Sequence, residues 1–415
     1  MPISTSEDDY VFLKNKEGNQ VRVLISDLRK RCPLFDLYFS IDPLAKHYAI
    51  YLPVSRQVLF SFKSFLPRGY MSFMSVTVAM ETYLFSDVYK MNDLKEVCRN
   101  YIRSEISLED VCSVHDFACE QNDRLIQYEC WILFDRHWDE IFHTQDFLQS
   151  KETTITRFLS RPIYDSLTEV NLFEACYSWV KERVMREFPD LKYRELEEKI
   201  GKEIRPFLSK IRFRAMTIDE AETYVFTKHV LTEIEINSIR SCLQNHTFYN
   251  NPDYFCLYAD ERTEKMYDAL FTYQNQFNPI NELGTAIDVN TRFKCKIFVR
   301  EDCYITSLTL PITFDHLRRI RVTLDGNSNS PENNIPRKTF DCSYHGNVNL
   351  PEPIFLINNS TTLLELRILN SDVITRYDVR ITQPFSYFYI ANNSDIQPED
   401  IDPRNNYYFK VLLYF

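Results

Sequence analysis

The spacing of the apolar residues changes along this chain, and that change limits the fold more than any other feature. Through residues 108–246 apolar residues recur every three or four positions, as in Leu172, Phe173, Cys176, Trp179, Val180 and Val184, a run that ends near Pro189. On an α-helix this spacing puts all six on one face. From about residue 250 to 415 the period falls to two. Phe293, Cys295, Ile297 and Val299 alternate with Lys294, Lys296 and Arg300 nearby, and Ile320, Val322 and Leu324 alternate with Arg321 and Thr323. Leu364, Leu366 and Ile368, and then Tyr377, Val379 and Ile381, repeat the pattern. Successive strand residues point to opposite faces, so these are half-buried antiparallel strands, about ten of them in two packed sheets. Asp325-Gly326-Asn327 and Asn392-Asn393-Ser394 read as turns between strands, with Asn tolerating the left-handed region where Gly is scarce. The last stretch, Tyr407 to Phe415, is too apolar to hang free and is expected to be a central or well-covered strand.

Residues 1–107 mix the two periods. Tyr10-Val11-Phe12-Leu13 and Val21-Arg22-Val23-Leu24-Ile25 flank Lys16-Glu17-Gly18-Asn19, which reads as a β-hairpin. Helical patterns follow from Val76 to Asp87 and from Met91 to Arg103. A strand is expected after Phe65, with Pro67 removing one backbone donor. Ser107 is placed to cap a helix whose apolar stripe is Val111, Val114, Ala118 and Cys119, with Asp110 supporting its N-terminus. A charged helix runs from about Tyr193 and gives way near Pro206. The chain thus reads as a multidomain α+β protein: a mixed α/β domain over 1–107, an all-α domain over 108–246 and an all-β sandwich over 250–415.

Composition excludes several functions. Among 415 residues there are only 6 Gly, and the nearest two, Gly326 and Gly346, stand 20 positions apart. Dinucleotide fingerprints and P-loops need clustered Gly so that backbone can approach phosphate, so neither is present. The formal net charge is −11, which disfavours the counterion-release binding of nucleic acid. Arg205 to Arg214, with Lys210 and Arg212, is the most basic segment, and a solvated helix end is its simpler reading. Met1 to Asp9 is polar and acidic, with no apolar core of a secretory signal, and no stretch approaches the roughly 20 apolar residues of a membrane span. The 11 Cys are scattered, mostly in apolar surroundings such as those of Cys98, Cys130, Cys176 and Cys295. That pattern suits buried free thiols in a reducing compartment, so a cytoplasmic location is expected. The absence of a Gly-rich repeat of about 50 residues argues against a Kelch propeller.

No reactive constellation emerges. Cys112, His115 and Cys119 share one helical face but lack a fourth ligand in paired spacing, so packing on a neighbouring helix is the simpler reading. His137 and His143 lie beside Asp135, Asp139 and Glu140 without the H-E-x-x-H spacing of a zinc protease. Asp8-Asp9 and Glu197-Glu198 are adjacent pairs whose side chains diverge. No catalytic residue, cofactor or metal site is assigned, and the chain reads as a non-enzyme.

Several segments resemble the BTB–BACK–PHR family. Ile211-Arg212-Phe213-Arg214-Ala215-Met216-Thr217-Ile218-Asp219-Glu220 is similar to a run characteristic of its BACK domain, as is Leu167-Thr168-Glu169-Val170-Asn171-Leu172-Phe173-Glu174-Ala175 with Trp179. Phe85 to Met91 with Leu94 and Cys98, and Cys32-Pro33-Leu34-Phe35 followed by Tyr38-Phe39, resemble BTB/POZ motifs. The C-terminal strands, with Phe293 to Ile312 as an aromatic-rich strand pair, look like a diverged PHR domain. The resemblance implies a BTB/POZ-like dimerisation domain, a helical BACK spacer and a PHR-like sandwich. It also implies a substrate adaptor of a cullin-3-type ubiquitin ligase that forms a homodimer and recruits a protein through residues 250–415. Ile41, Asp42, Pro43, Leu44, Ala45 and Lys46 are then the candidate cullin-facing loop, and Val11, Leu13 and Val23 the candidate dimer interface. The loop lacks the Glu that docking members carry, and Lys46 reverses the local charge. Cullin binding is therefore expected to be weakened, and an oligomeric scaffold that does not bind cullin stands as the alternative.

Overall fold

In a computed structural model the described residues are 10–42, 44, 48–161, 164, 166–245, 255–256, 259, 262, 292–299, 302–310, 312–314, 320–328, 335–343, 345–369, 379–381, 394–397, 406–407 and 410–414. The chain forms two compact units, 1–151 and 152–415.

The first unit opens with the expected hairpin, β1 (Tyr10–Asn15) and β2 (Gln20–Leu24), closed by Gly18 at φ 85°. Ile25 leaves the hairpin to start α1 (Ile25–Arg31), followed by α2 (Pro33–Ile41). Strand β3 (Ile50–Leu52) pairs parallel to β1, giving the sheet order β2-β1-β3. Helices α3 (Arg56–Arg68), α4 (Val76–Val88) and α5 (Asn92–Glu105) follow. Ser55 and Ser75 cap α3 and α4 by accepting the backbone N–H of Val58 and Val78. The strand expected after Phe65 is instead the end of α3. Pro67 sits in the helix's last turn, and Gly69 at φ 74° ends it in the left-handed region.

The unit closes with α6 (Val111–Glu120), α7 (Arg124–Ile141) and α8 (Gln145–Gln149). The capping expectation at α6 is reversed in direction: Asp110 stands at the N-cap, and its carboxylate accepts the N–H of Ser107 at 2.9 Å. The first-turn N–H groups of Cys112 and Ser113, which have no intrahelical acceptor, go instead to the Asp146 carboxylate, at 2.6 and 3.1 Å.

The second unit begins with α9 (Glu152–Ser160) and the long α10 (Glu169–Glu187), started by a capping box between Thr168 and Asn171. All six residues of the predicted α10 stripe are buried, Trp179 edge-on to Phe207. Helices α11 (Tyr193–Glu203) and α12 (Arg205–Leu208) meet at Ile204, and Pro206 sits in the first turn of α12, where its missing N–H costs nothing. Short helical turns from Phe213 to Lys228 lead to α14 (Glu233–Asn245), with α13 (Ile218–Glu220) among them.

Eleven strands follow among the described residues: β4 (Arg292–Val299), β5 (Cys303–Thr309), β6 (Ile312–Phe314), β7 (Ile320–Ser328), β8 (Ile335–Cys342), β9 (Asn347–Leu356), β10 (Ser360–Ile368), β11 (Val379–Ile381), β12 (Ser394–Gln397), β13 (Asn406–Tyr407) and β14 (Lys410–Tyr414). Their pairing departs from two separate sheets. Nine strands join in one sheet, β12-β4-β10-β7-β8-β9-β5-β14 with β13 on β4, while β6 and β11 form a second, two-stranded one. The nine are continuous because β8 and β9 share one pair, Cys342↔Val348. The expected strand pair over Phe293 to Ile312 does not form: β4 pairs with β10, β12 and β13, and β5 with β9 and β14.

The expected turn at Asp325-Gly326-Asn327 is also absent, because β7 runs through it. A Cβ on Gly326 would come 2.8 Å from Ile335 Cδ1 and 3.1 Å from Leu364 Cδ2, so glycine here serves cross-strand packing rather than a turn. Asn392 and Asn393 lie outside the described residues. Strand β14 is an edge rather than a central strand among the described residues, yet Val411 and Tyr414 are buried, which accounts for its apolar character.

Candidate interaction surfaces

Helix α2 is built to display one face. Pro33 fits its first turn, where no N–H is needed. Phe35 and Phe39 are buried, and Phe35 stacks on Tyr89 with ring centroids 5.3 Å apart. The Cys32 thiol donates to the Tyr89 carbonyl, and burial raises its pKa. Arg29 of α1 holds the helix from its polar side, pairing with Asp36 at 3.1 Å and donating to Ser40 Oγ at 3.2 Å.

These contacts leave Leu34, Leu37, Tyr38 and Ile41 exposed. The spacing of three, four and seven makes one apolar stripe along the helix. It continues into the candidate loop: Ile41 is 74% exposed and Leu44 63%. The Asp42 backbone ends the helix, and its carboxylate accepts the Leu44 N–H at 3.0 Å. That local turn occupies one oxygen of the Asp42 carboxylate. Pro43, Ala45 and Lys46 lie outside the described residues.

The candidate dimer residues are corrected by the fold. Val11, Leu13 and Val23 are buried inside the first unit and so are unavailable to a second copy. Alternation along β1 and β2 explains why: these three face the helices, and Phe12 and Arg22 face outward. The period-two pattern marks the buried side of the hairpin, which packs within the unit. The exposed stripe on α2 has a sequence signal, apolar residues at helix spacing beside two aromatic anchors, but it could not be distinguished from a core-facing stripe without packing.

The polar clusters have structural partners. His115 is fully buried, edge-on to Trp131 and Phe134, and Cys119 Sγ lies 3.7 Å from its Nε2. Burial drives the Cys112 and Cys130 thiols well above their usual range, and lifts Cys342 to about 12, which keeps these sulfurs protonated and non-nucleophilic near neutral pH. His137 bonds Glu140 at 3.1 Å beside a kink in α7, while His143 is exposed. Glu198 pairs with Arg194, one helical turn away. The basic segment is drawn into packing: Arg205 pairs with Glu235 at 2.5 Å, Lys210 reaches Ser160, and the Arg212 N–H bonds Glu169. Among the described residues no group of three or more His, Cys, Asp or Glu is placed to hold a metal, and no helix is long and apolar enough to cross a membrane.

Two buried carboxylates act as joints. Asp123 caps α7 through the Ile126 N–H and accepts both Tyr83 Oη and Arg99 Nε at 2.7 Å, tying α4, α5 and α7 together. Glu169, at the start of α10, accepts Arg262 Nε at 2.5 Å and the Arg212 N–H at 2.9 Å. Arg262 also donates to the carbonyls of Arg161 and Lys210, and its own carbonyl accepts the Tyr164 N–H at 2.7 Å. The sequence reading noted Glu169 only within a motif and missed Arg262, because a lone Arg in a polar stretch has no local signature.

No curated protein matches the chain. Residues 111–192, which run from the start of α6 to just beyond α10, match the BACK family, described as BTB And C-terminal Kelch. Within 111–192 the helical region is therefore similar to a BACK domain.

Proposed function

We propose that the chain is a non-catalytic substrate adaptor of a cullin-3-type E3 ubiquitin ligase. In this reading residues 1–107 dimerise and dock, residues 108–246 form the helical spacer, and residues 250–415 recruit a protein substrate. The BACK match carries the reading, since BACK-domain proteins are generally adaptors. The exposed α2 stripe leading into Ile41 and Leu44 supports it, because an apolar docking pocket needs such anchors. The second reading, an oligomeric scaffold without cullin, is favoured by the absent Glu and by the engagement of Asp42 with Leu44. Loss of a buried acceptor leaves the opposing donor unpaired, at about 1–3 kcal/mol, or roughly ten- to hundredfold in affinity.

Titration calorimetry of the full chain against the cullin-3 N-terminal domain separates the two. A Kd below about 1 µM that rises on Ile41→Asp supports the adaptor. Absence of heat supports the scaffold. Weak binding that tightens on Ala45→Glu supports an adaptor diverged at this one contact. Light scattering at about 50 µM checks the homodimer, and a monomer overturns that part.

A further inference from the structure

The outer side of the β2-β1-β3 sheet has no part in the roles above. Tyr10, Phe12 and Lys14 of β1 lie on this side, opposite Val11 and Leu13. The pair Phe12↔Arg22 extends it onto β2, and Lys14↔Tyr51 onto β3. Phe12 is 44% exposed and Tyr51 66%. The Arg22 guanidinium lies 4.0 Å from the Tyr10 ring centroid, and Lys14 Nζ lies 5.5 Å from that of Tyr51. Neither cation has a carboxylate partner among the described residues, whereas Arg29, Lys95, Arg99 and Arg103 in the same unit each have one. The face therefore combines aromatic platforms with two cations that no carboxylate among the described residues neutralises, on a chain of net charge −11.

We propose that this face docks an extended acidic segment of a partner protein. Two carboxylates at alternate positions of that segment reach Arg22 and Lys14, and apolar or aromatic side chains beside them lie on Phe12, Tyr10 and Tyr51. Arg22 lies opposite Phe12 and Lys14 two residues further along β1, so the two side chains start about 7–8 Å apart on the sheet diagonal and, although Arg22 rests over Tyr10 and Lys14 over Tyr51, both are long enough to turn toward one bound strand. Alternate residues of an extended chain are about 6.6 Å apart. Charge adds selectivity of place: an acidic segment is repelled by most of this acidic chain and attracted where cations stand open. Two cations are too few for the counterion release that drives nucleic-acid binding.

The test is fluorescence anisotropy of the full chain with a labelled peptide that alternates Glu and Tyr. Saturable binding is expected, weakened about tenfold by Arg22→Gln and by Lys14→Gln, weakened further by added salt, and absent for the peptide carrying Gln in place of Glu. Unchanged melting temperatures of the two variants show that the loss is local. Equal binding of the Glu and Gln peptides, no response to either variant, or equal competition by single-stranded RNA overturns the proposal. So does binding that appears only when residues 1–9 are removed, because Glu7, Asp8 and Asp9 would then be the occupant. None of these outcomes depends on cullin binding.

Discussion

The two units solve one problem, holding helices together with a buried carboxylate, in different ways. In the first, Asp123 gathers partners from 24 and 40 residues away, and the Arg99 side chain remains partly open to solvent. In the second, Glu169 binds Arg262 from 93 residues away, and both side chains are only 3% exposed. Neutralising Asp123 costs the first joint little, because Arg99 is the member that reaches water. A fully buried pair is costly to break, because the remaining charge has no water to turn to. The second joint also closes a much longer loop, so it draws a segment distant in sequence onto the N-terminus of α10. Arg262 extends that hold through the Arg161 and Lys210 carbonyls. The Arg161 guanidinium in turn lies 4.9 Å from the ring centroid of Tyr164 and 4.9 Å from that of Tyr414, which links the last strand to the same node.

The largest test of this contrast is Arg262→Ala. It strips Glu169 of its counterion and is expected to destabilise the second unit by about 3–5 kcal/mol. Thermal melts followed by tryptophan fluorescence check it, and Glu169→Gln/Arg262→Met should recover part of the loss by removing both charges. A drop below about 1 kcal/mol would mean that water reaches the joint. Trp179→Ala gives the uncharged reference in the same unit. It empties the contact with Phe207 and is expected to cost a similar 3–5 kcal/mol, with no recovery by a second substitution at a charged site. An unchanged melting temperature would place Trp179 outside the core.

Asp123→Asn should cost less, about 1–3 kcal/mol, since the amide oxygen still caps α7 while Arg99 turns to Glu96 and solvent. Equal losses at Asp123 and Arg262 would erase the distinction between the two joints. The smallest effect concerns Glu235. Burial alone would raise its pKa, but hydrogen bonds from Arg205 and Thr232 outweigh it and hold the carboxyl below its usual value. A lowered folded-state pKa contributes stability that is present above the unfolded value, about 4.3, and lost as pH falls through the folded one. Glu235→Gln should therefore lower the melting temperature at pH 7 by a few degrees at most and flatten its decline below about pH 4.5. A decline as steep as in the native chain would assign the acid sensitivity to other carboxylates.

The sequence alone determined what depends on local periodicity. The helical stripe of α10, the hairpin of β1 and β2, and the separate alternations of Leu364 and Leu366 and of Val322 and Leu324 were all legible, because burial imposes a repeat that a single segment displays. The stretch from Leu167 to Trp179 was legible as a resemblance to a family motif, and it lies within the matched BACK region. What the repeat leaves open is which surface an element meets, and there only the tertiary structure decided. Pro67 looked like a strand breaker until α3 placed it in a final turn with Gly69 as its stop. Gly326 looked like a turn until Ile335 and Leu364 crowded the space of its missing side chain. Val11, Leu13 and Val23 carried the right burial and the wrong partner. Arg22 opposite Phe12, Lys14 beside Tyr51, and Arg262 against Glu169 are pairings across strands or across long loops. Their energies depend on distance and on access to water, and neither quantity exists until the chain has folded.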